Sequence, residues 1–160
     1  LFIVNRDISG RLTLSPDALK KNLVTYLNEF RLISDAIDIL DSPIVNIGTE
    51  FKIAVDPNFS PDAVLRSCIG KIINYTNVEN FQIGEPIRQS DLINLVYNTP
   101  GVLSVVDLKV VNKTGSEGTR NYSQVIHNIP TNTRKGLIFP PEGGIFEVKF
   151  PSLDIKGAIV

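Results

Sequence analysis

The stretch that decides the fold is VNIGTEFKIAV, residues 45–55. The even positions from 46 to 52 are polar or small. The odd positions are Val45, Ile47, Thr49, Phe51, Ile53 and Val55. Because side chains alternate between the two faces of a sheet, this period of two predicts a long strand with one buried and one wet face. A single wet face is typical of an antiparallel sheet that is covered on one side.

Three segments around this strand have the apolar spacing of helices. The sequence predicts helices over about 16–31, 61–76 and 91–98. In the first, Ser15 is a capping candidate and Pro16 suits the first helical position. Its apolar stripe consists of Leu19, Leu23, Tyr26, Leu27 and Phe30. This spacing indicates an amphipathic helix with one apolar face.

Further strands are predicted over 37–40, 102–111, 146–150 and 155–160. In the second of them, one face is expected to carry Val102, Val106, Leu108 and Val110. The sequence thus predicts an α+β fold, a mostly antiparallel sheet with three helices and a β-rich C-terminal tail. We expect an α+β body over 1–111, a polar loop or hairpin over 112–135, and C-terminal strands over 136–160 that complete or extend the body.

Composition and charge exclude several classes of protein. The chain has 160 residues, of which 42% are hydrophobic and 21% charged, so it is neither disordered nor membrane-spanning. Lys and Arg (16) nearly balance Asp and Glu (17), which gives no electrostatic footprint for nucleic acid or an anionic membrane. The chain contains no Met, even at position 1, so we expect it to be a fragment of a longer protein.

Two side chains are obvious candidates for nucleophilic chemistry. His127 is the only histidine and lies in or beside the polar segment, so we predict a surface histidine without a chemical role. Cys68, the only cysteine, falls on the apolar stripe of the second helix. Burial in apolar surroundings raises a thiol pKa, and we therefore predict a structural thiol. The sequence thus predicts no catalytic residue.

Asp35, Asp38 and Asp41 recur every third residue and could suggest a cation site. On a strand, however, this spacing sends Asp38 to the face opposite the other two. Calcium loops also need more oxygen ligands within a compact loop that contains Gly. We therefore predict turn and edge roles for the three aspartates, and no metal or cofactor site.

Several motifs together resemble a known family. They are LNEFRLISD (27–35), DSPIVNIGTEFKI (41–53), EPIRQSDLI (85–93) and NTPGVLSV (98–105). Read together, they look like the C-terminal part of the baseplate J-like proteins of contractile tails. PPEGGIFEV (140–148) is similar to the T-even-type branch, whose wedge subunits build the inner ring of the baseplate. The resemblance covers about 17–111 well and is weakest over 112–135.

This resemblance implies a structural role in a virion. Such subunits are not enzymes and hold no cofactor. They contact copies of themselves, as dimers within each wedge, and other wedge proteins. Together they form a ring around the tail tube that rearranges on contraction. The family therefore implies assembly in the host cytoplasm and residence in the tail baseplate, without nucleic-acid, membrane or small-molecule partners.

Phe139, Pro140 and Pro141, beside the turn at Gly143-Gly144, are candidates for an apolar assembly patch. The alternative is a turn that packs against its own domain. Two other functions stay open at this point. One is a glycan- or receptor-binding module, although the chain has no Trp and only four Tyr. The other is a hydrolase built on carboxylates that the sequence does not pair.

Overall fold

A computed structural model describes residues 1–30 and 36–160. Its helices are α1 (Asp17–Asn28), α2 (Pro61–Tyr75), α3 (Gln89–Tyr97) and α4 (Pro151–Asp154). Its strands are β1 (Phe2–Ile3), β2 (Asn5–Arg6), β3 (Leu12–Thr13), β4 (Leu40–Asp41), β5 (Ile44–Val55), β6 (Ile87–Arg88), β7 (Val102–Asn112), β8 (Ser116–Glu117), β9 (Arg120–Asn121), β10 (Thr133–Arg134), β11 (Leu137–Ile138), β12 (Ile145–Glu147) and β13 (Ile155–Ile159). Among the described residues, no helix is long and apolar enough to cross a membrane.

The main sheet is organised around β5. Strand β7 pairs with it antiparallel, β12 pairs parallel beside Ile44–Asn46, and β13 pairs parallel beside Thr49–Ile53. Antiparallel pairings connect β2 with β3, β8 with β9, and β11 with both β6 and β10, whereas β1 is parallel to β4. The predicted α+β class with mostly antiparallel pairing is confirmed. The structure adds a fourth, short helix, α4, to the three that the sequence predicts.

Helices α2 and α3 cover one face of this sheet and form the core with it. Their buried residues are Val64, Cys68, Ile72, Leu92 and Val96. These side chains pack against the odd positions of β5, among them Val45, Ile47, Phe51 and Ile53. Burial of a large aliphatic or aromatic side chain stabilises a fold by about 1.5–3 kcal/mol, so this cluster is the main source of stability.

The second face of β5 is only partly wet, which differs from the prediction. Asn46 and Gly48 are buried, while Glu50 is half-buried and Lys52 is exposed. A Cβ at Gly48 would lie 2.6 Å from the Asp154 carbonyl oxygen, so the segment before β13 passes directly over this position. The polar even positions of β5 predict an exposed face, because sequence periodicity does not show that later segments of the chain cover half of it.

Two register shifts interrupt the pairing of β5 with β7. Asp107 pairs with Lys52 and Val105 with Ile53, which leaves Val106 as an extra residue in β7. A β-bulge of this kind redirects the side chain. Val106 is 57% exposed as a result, so its predicted place on the apolar face with Leu108 and Val110 is wrong.

Two predicted strands are shorter in the structure. The segment predicted over 37–40 forms a strand only at Leu40–Asp41. The segment predicted over 146–150 is the three-residue β12, after which Phe150 lies at the start of α4. Phe150 donates its backbone N–H to Asp154 Oδ2 in α4, and Pro151, which has no backbone N–H to donate to a sheet, occupies the first position of that helix.

Candidate functional site

Cys68 is fully buried in α2, as predicted. Burial raises the pKa of its thiol, with opposing contributions from Thr99 and Lys71. A buried thiol with a raised pKa is mostly protonated at neutral pH and is a poor nucleophile. The structure therefore places Cys68 in the core.

The prediction of a surface position for His127 is wrong. Only 7% of its surface is exposed, and its ring packs edge-on against Phe146 with centroids 5.8 Å apart. The Phe139 carbonyl oxygen accepts a hydrogen bond from Nε2 over 2.8 Å, and the His127 backbone N–H donates to Asn112 Oδ1. The polar segment folds back onto the sheet at this point. His127 is therefore buried at the edge of the core although its neighbours in the sequence are polar.

Asp41 has a structural partner on α1. Its carboxylate accepts hydrogen bonds from Lys20 Nζ at 2.6 Å and from the Ser15 backbone N–H at 3.2 Å. The bond from Lys20 holds the pKa of Asp41 below its usual value. Ser15 does not cap the helix with its side chain. Asp38 lies outside any strand, and Asp35 lies outside the described residues.

The described part of the chain brings together no group of three or more His, Cys, Asp or Glu that could hold a metal ion. Two of the glycines lie in turns and have structural roles. Gly118 lies in the turn between β8 and β9 with φ +62°. Gly143 has φ +65° and lies against the Phe2 ring, where a Cβ would overlap that ring. Close approach of chain segments thus accounts for Gly143.

A buried carboxylate in β12 joins distant parts of the chain. Glu147 is 2% exposed, and its two oxygens accept hydrogen bonds from the Leu12 backbone N–H at 2.6 Å and from Asn46 Nδ2 at 2.7 Å. Burial raises its pKa, although both hydrogen bonds oppose that shift. Glu147 therefore connects the hairpin of β2 and β3, which we call the N-terminal hairpin, with the central strand β5.

Asn46 extends this network to the polar segment. Its Oδ1 accepts a hydrogen bond from the Ser123 backbone N–H at 2.7 Å. Its backbone oxygen accepts from the Lys113 backbone N–H at 2.8 Å and from Asn112 Nδ2 at 3.0 Å. Asn46 thus attaches two points of the polar segment, at 112–113 and at Ser123, to β5, and both polar atoms of its side chain bond groups of the chain itself.

A second buried carboxylate, that of Asp154, bonds the same polar segment. Asp154 is 1% exposed and accepts hydrogen bonds from the Tyr122 hydroxyl at 2.6 Å and the Phe150 backbone N–H at 3.0 Å. Two effects raise the pKa of Tyr122 to about 12: burial is the larger, and the hydrogen bond to Asp154 is the next. Arg120 Nη1 lies 3.9 Å from the carboxylate.

A cleft of about 550 Å³ lies between the N-terminal hairpin and the polar segment. Its lining includes Leu12, Asn46, Tyr122, Ser123 and Glu147. The polar side chains among them already bond one another or nearby backbone groups. Polar groups that are satisfied in this way hold chain segments in place, and this arrangement is typical of a structural network.

The corner between α3 and β7 is sterically fixed. Gly101 has φ +92°, and a Cβ there would lie 2.7 Å from Val64 Cγ2 and 2.9 Å from the Phe59 ring. The Asp56 backbone N–H donates to the Gly101 carbonyl oxygen, and Thr99 Oγ1 donates to the Leu95 carbonyl oxygen. Only glycine fits this conformation and space without strain, so NTPGV forms a rigid turn.

Helix α1 is unusual because none of its twelve residues, all of them described, is buried. Leu19, Tyr26 and Phe30 are 48%, 58% and 70% exposed. Phe30 lies two residues beyond the end of the helix, and its ring is 5.1 Å from that of Tyr26. We call these three side chains the α1 edge. It is an exposed apolar stripe of the kind that marks interaction sites.

Phe139, the first residue of the predicted patch, is 39% exposed, while Pro140 and Pro141 are half-buried. Pro141 packs tightly against Gly144, where a Cβ would lie 2.7 Å from Pro141 Cγ. The contact within the turn fits the alternative of a turn packed on its own domain. A role of the patch in assembly stays a prediction.

The network around Asn46 and Glu147 was not found from the sequence. Glu147 stands between Phe146 and Val148 and has the alternation of a half-wet strand. Asn46 has the same appearance in β5. The one available signal was their position in strands that are otherwise strongly apolar.

The sequence matches no protein-family model and no curated protein.

Proposed function

We propose that the protein is a structural subunit of the baseplate wedge of a contractile tail. It assembles with copies of itself and other wedge proteins into a ring around the tail tube. In this proposal the subunit catalyses no reaction and resides in the virion. The α1 edge is the observation that carries the proposal, because an apolar stripe left in water is stabilised when a partner covers it.

The motifs that resemble baseplate J-like proteins also have structural roles that suit a subunit under mechanical load. NTPGV makes the sterically fixed corner between α3 and β7. The strand VNIGTEFKI is the centre of the main sheet and pairs with three other strands. A ring that changes diameter needs subunits that move as rigid bodies, and these features favour rigidity.

The buried polar groups support a structural role in a second way. Glu147 and Asp154 each accept two hydrogen bonds from groups of the chain itself. A general acid or base must instead reach the atom of a substrate. These two carboxylates instead hold the N-terminal hairpin and the polar segment in place. Their structural use favours an assembly role over hydrolysis.

Co-expression with the other wedge proteins of the same particle tests the proposal. We expect the chain to elute with them, with a light-scattering mass of a complex that contains more than one copy. Electron microscopy of that complex should show wedges or rings. A chain that stays monomeric and separate from every wedge protein would overturn the proposal.

One observation favours the second candidate, a glycan-binding module. The neighbouring rings of Tyr26 and Phe30 are exposed and could stack on a sugar. Their planes are tilted by 57°, so they do not form one flat platform. Glycan-array binding that is lost on Tyr26→Ala would establish this alternative, and we expect no such binding.

A further inference from the structure

The small sheet of β6, β10 and β11 carries positive charge on its outer face. Strand β11 pairs with β10 on one side and with β6 on the other, so Leu137 lies opposite both Arg134 and Arg88. Residues that pair directly across strands share a face of the sheet. Their neighbours Ile87 and Ile138 are 1% exposed on the other face. The two arginines are therefore exposed on either side of the half-buried Leu137.

The turn between β10 and β11 adds a third cation. Lys135 and Gly136 are its two central residues, with φ +52° and +75°. A two-residue turn with positive φ at both positions favours Asn, Asp or Gly at the first of them, because other side chains are crowded in this conformation. Lysine is thus an unfavourable residue here, and it brings a positive charge next to Arg134. We call Arg88, Arg134 and Lys135 the basic cluster.

Arg88 also opposes its local structure. It is the N-cap residue of α3 and makes no side-chain capping bond, although Ser, Thr, Asn and Asp are favoured at this position. The N-terminal end of a helix carries a partial positive charge, so a cation is unfavourable there. Asp91 in the first turn offsets only part of this charge. Residues that break a local rule are expected at functional sites, and Arg88 and Lys135 both do so on one surface.

The chain itself leaves this charge unpaired and holds its backbone in place. Among the described residues, no carboxylate oxygen lies within 4 Å of a side-chain nitrogen of the basic cluster. Glu85 instead accepts a hydrogen bond from the Gln82 backbone N–H. The Gln89 backbone N–H donates to the Gly136 carbonyl oxygen at 2.9 Å, which attaches the turn to the start of α3. A surface that is ordered in advance loses less entropy on binding.

We propose that the basic cluster binds an extended, acidic segment of another protein. Arg88 and Arg134 lie two strands apart, about 10 Å, which is the span of roughly three residues of extended chain. Each guanidinium group can bind a carboxylate through two parallel hydrogen bonds. An apolar side chain between two such carboxylates would contact Leu137. The inference goes beyond the proposed function and does not depend on it.

Two other occupants suit this surface less well. Proteins that bind nucleic acid carry a wide basic surface, whereas the acidic and basic residues of this chain nearly balance. A second copy offers no strongly acidic segment, since no two acidic residues are adjacent in the sequence. The most acidic stretch, residues 35–41, already uses Asp41 to bond Lys20.

NMR titration of the isotope-labelled chain with an acidic peptide tests the inference. The probe is acetyl-Thr-Glu-Glu-Leu-Glu-Glu-Thr-amide, and the control peptide has Gln in place of each Glu. We expect only the acidic peptide to shift the amide signals of Arg88, Arg134 and their neighbours, and added salt to weaken its binding. Equal binding of the two peptides would overturn the inference, and so would no binding of the acidic peptide at about 1 mM.

Four variants locate the binding surface. Arg134→Gln, Arg88→Asn and Lys135→Asn each remove one positive charge, and we expect each to raise the dissociation constant of the acidic peptide about threefold. Arg66→Gln is the control, because it removes the charge of an exposed arginine on α2. It should leave the dissociation constant within about 1.5-fold. Equal effects of Arg66→Gln and Arg134→Gln would overturn the inference.

Stability distinguishes a binding role from a structural one. Asn suits both a helix N-cap and the first position of this turn, so Arg88→Asn and Lys135→Asn should raise the midpoint of urea unfolding while they weaken peptide binding. A lower midpoint in both variants would give the two cations a structural role and overturn the inference.

Two further results would assign the surface to another occupant and overturn the inference. One is tighter binding of a DNA duplex than of the acidic peptide, and the other is a dimer of the chain that Arg134→Gln dissociates. A chain that joins wedge complexes but does not bind the peptide would refute this inference and leave the proposed function standing.

Discussion

Replacing Tyr122 with Phe removes the hydroxyl that donates to Asp154 Oδ1 over 2.6 Å. Asp154 is 1% exposed, so water cannot replace the lost donor without opening the structure. Hydrogen bonds to charged groups contribute about 1.5–3 kcal/mol, and we expect Tyr122→Phe to lower the free energy of unfolding by that amount. Urea unfolding at pH 7, with an unchanged dependence on urea concentration, measures it.

Alkaline pH tests the environment of the same side chain. The pKa of Tyr122 is raised to about 12 in the folded protein, compared with about 10 in an unfolded chain. The contribution is therefore fully present below pH 10 and is lost as the pH rises towards 12. Two pKa units correspond to roughly 2.7 kcal/mol of stability lost on ionisation, of which burial of the side chain is the largest cause and the bond to Asp154 the next. The variant should lack this part of the alkaline destabilisation.

Tyr97→Phe is the matched control, because that tyrosine is 56% exposed. We expect it to change the free energy of unfolding by less than about 0.5 kcal/mol. The reasoning is refuted if the two variants are equally stable at pH 7, or if Tyr122→Phe keeps the full wild-type loss of stability between pH 10 and 12.

Three further predictions concern the corner, the buried network and the core. Gly101→Ala should destabilise the fold by at least about 1 kcal/mol more than Gly10→Ala in urea unfolding, since both have positive φ but a Cβ at Gly10 meets no atom within 4 Å. Equal losses would contradict the proposed clash. Burial raises the pKa of Glu147, so its contribution is present below the unfolded value and is lost as the pH rises through the folded value. The stability of wild type relative to Glu147→Gln should therefore fall from pH 4 towards neutral pH, and a rise would contradict this. Cys68 should react with a thiol reagent only in denaturant, and rapid labelling of the folded protein would place it at the surface.

Local patterns predicted α1, α2, α3 and the central strand, but α1 ends at Asn28, earlier than predicted, and the short α4 was not predicted. Pro61 and the apolar spacing after it locate α2 within one residue of its observed end, because helix signals are carried by neighbouring residues. The period of two located β5 in the same way. The bulge at Val106 could not be predicted, since it depends on the register between two strands that are far apart in the sequence.

The buried network around Asn46 and Glu147 depends on contacts between residues that are far apart in the sequence, so local patterns do not predict it. Glu147 bonds Leu12 across 135 positions of the chain, and Asn46 bonds Ser123 across 77. Alternating patterns report whether one face of a strand is apolar, but they do not report which later segment covers the other face. The same limit explains His127, whose polar surroundings in sequence fold back onto the sheet.

The α1 edge shows the opposite case. The sequence predicted an amphipathic helix with an apolar face, and the structure leaves part of that face, Leu19, Tyr26 and Phe30, exposed. An amphipathic pattern indicates that a surface will be covered, but not whether the cover is the same chain or another molecule.

The proposed baseplate role is decided by cryo-electron microscopy of contractile tails purified from the cells that produce this protein. We expect density for this fold in the baseplate ring around the tail tube, repeated by the symmetry of the ring and in contact with neighbouring copies. Density for this fold only at the tip of a receptor-binding fibre, or tails whose complete baseplate lacks it, would refute the proposal.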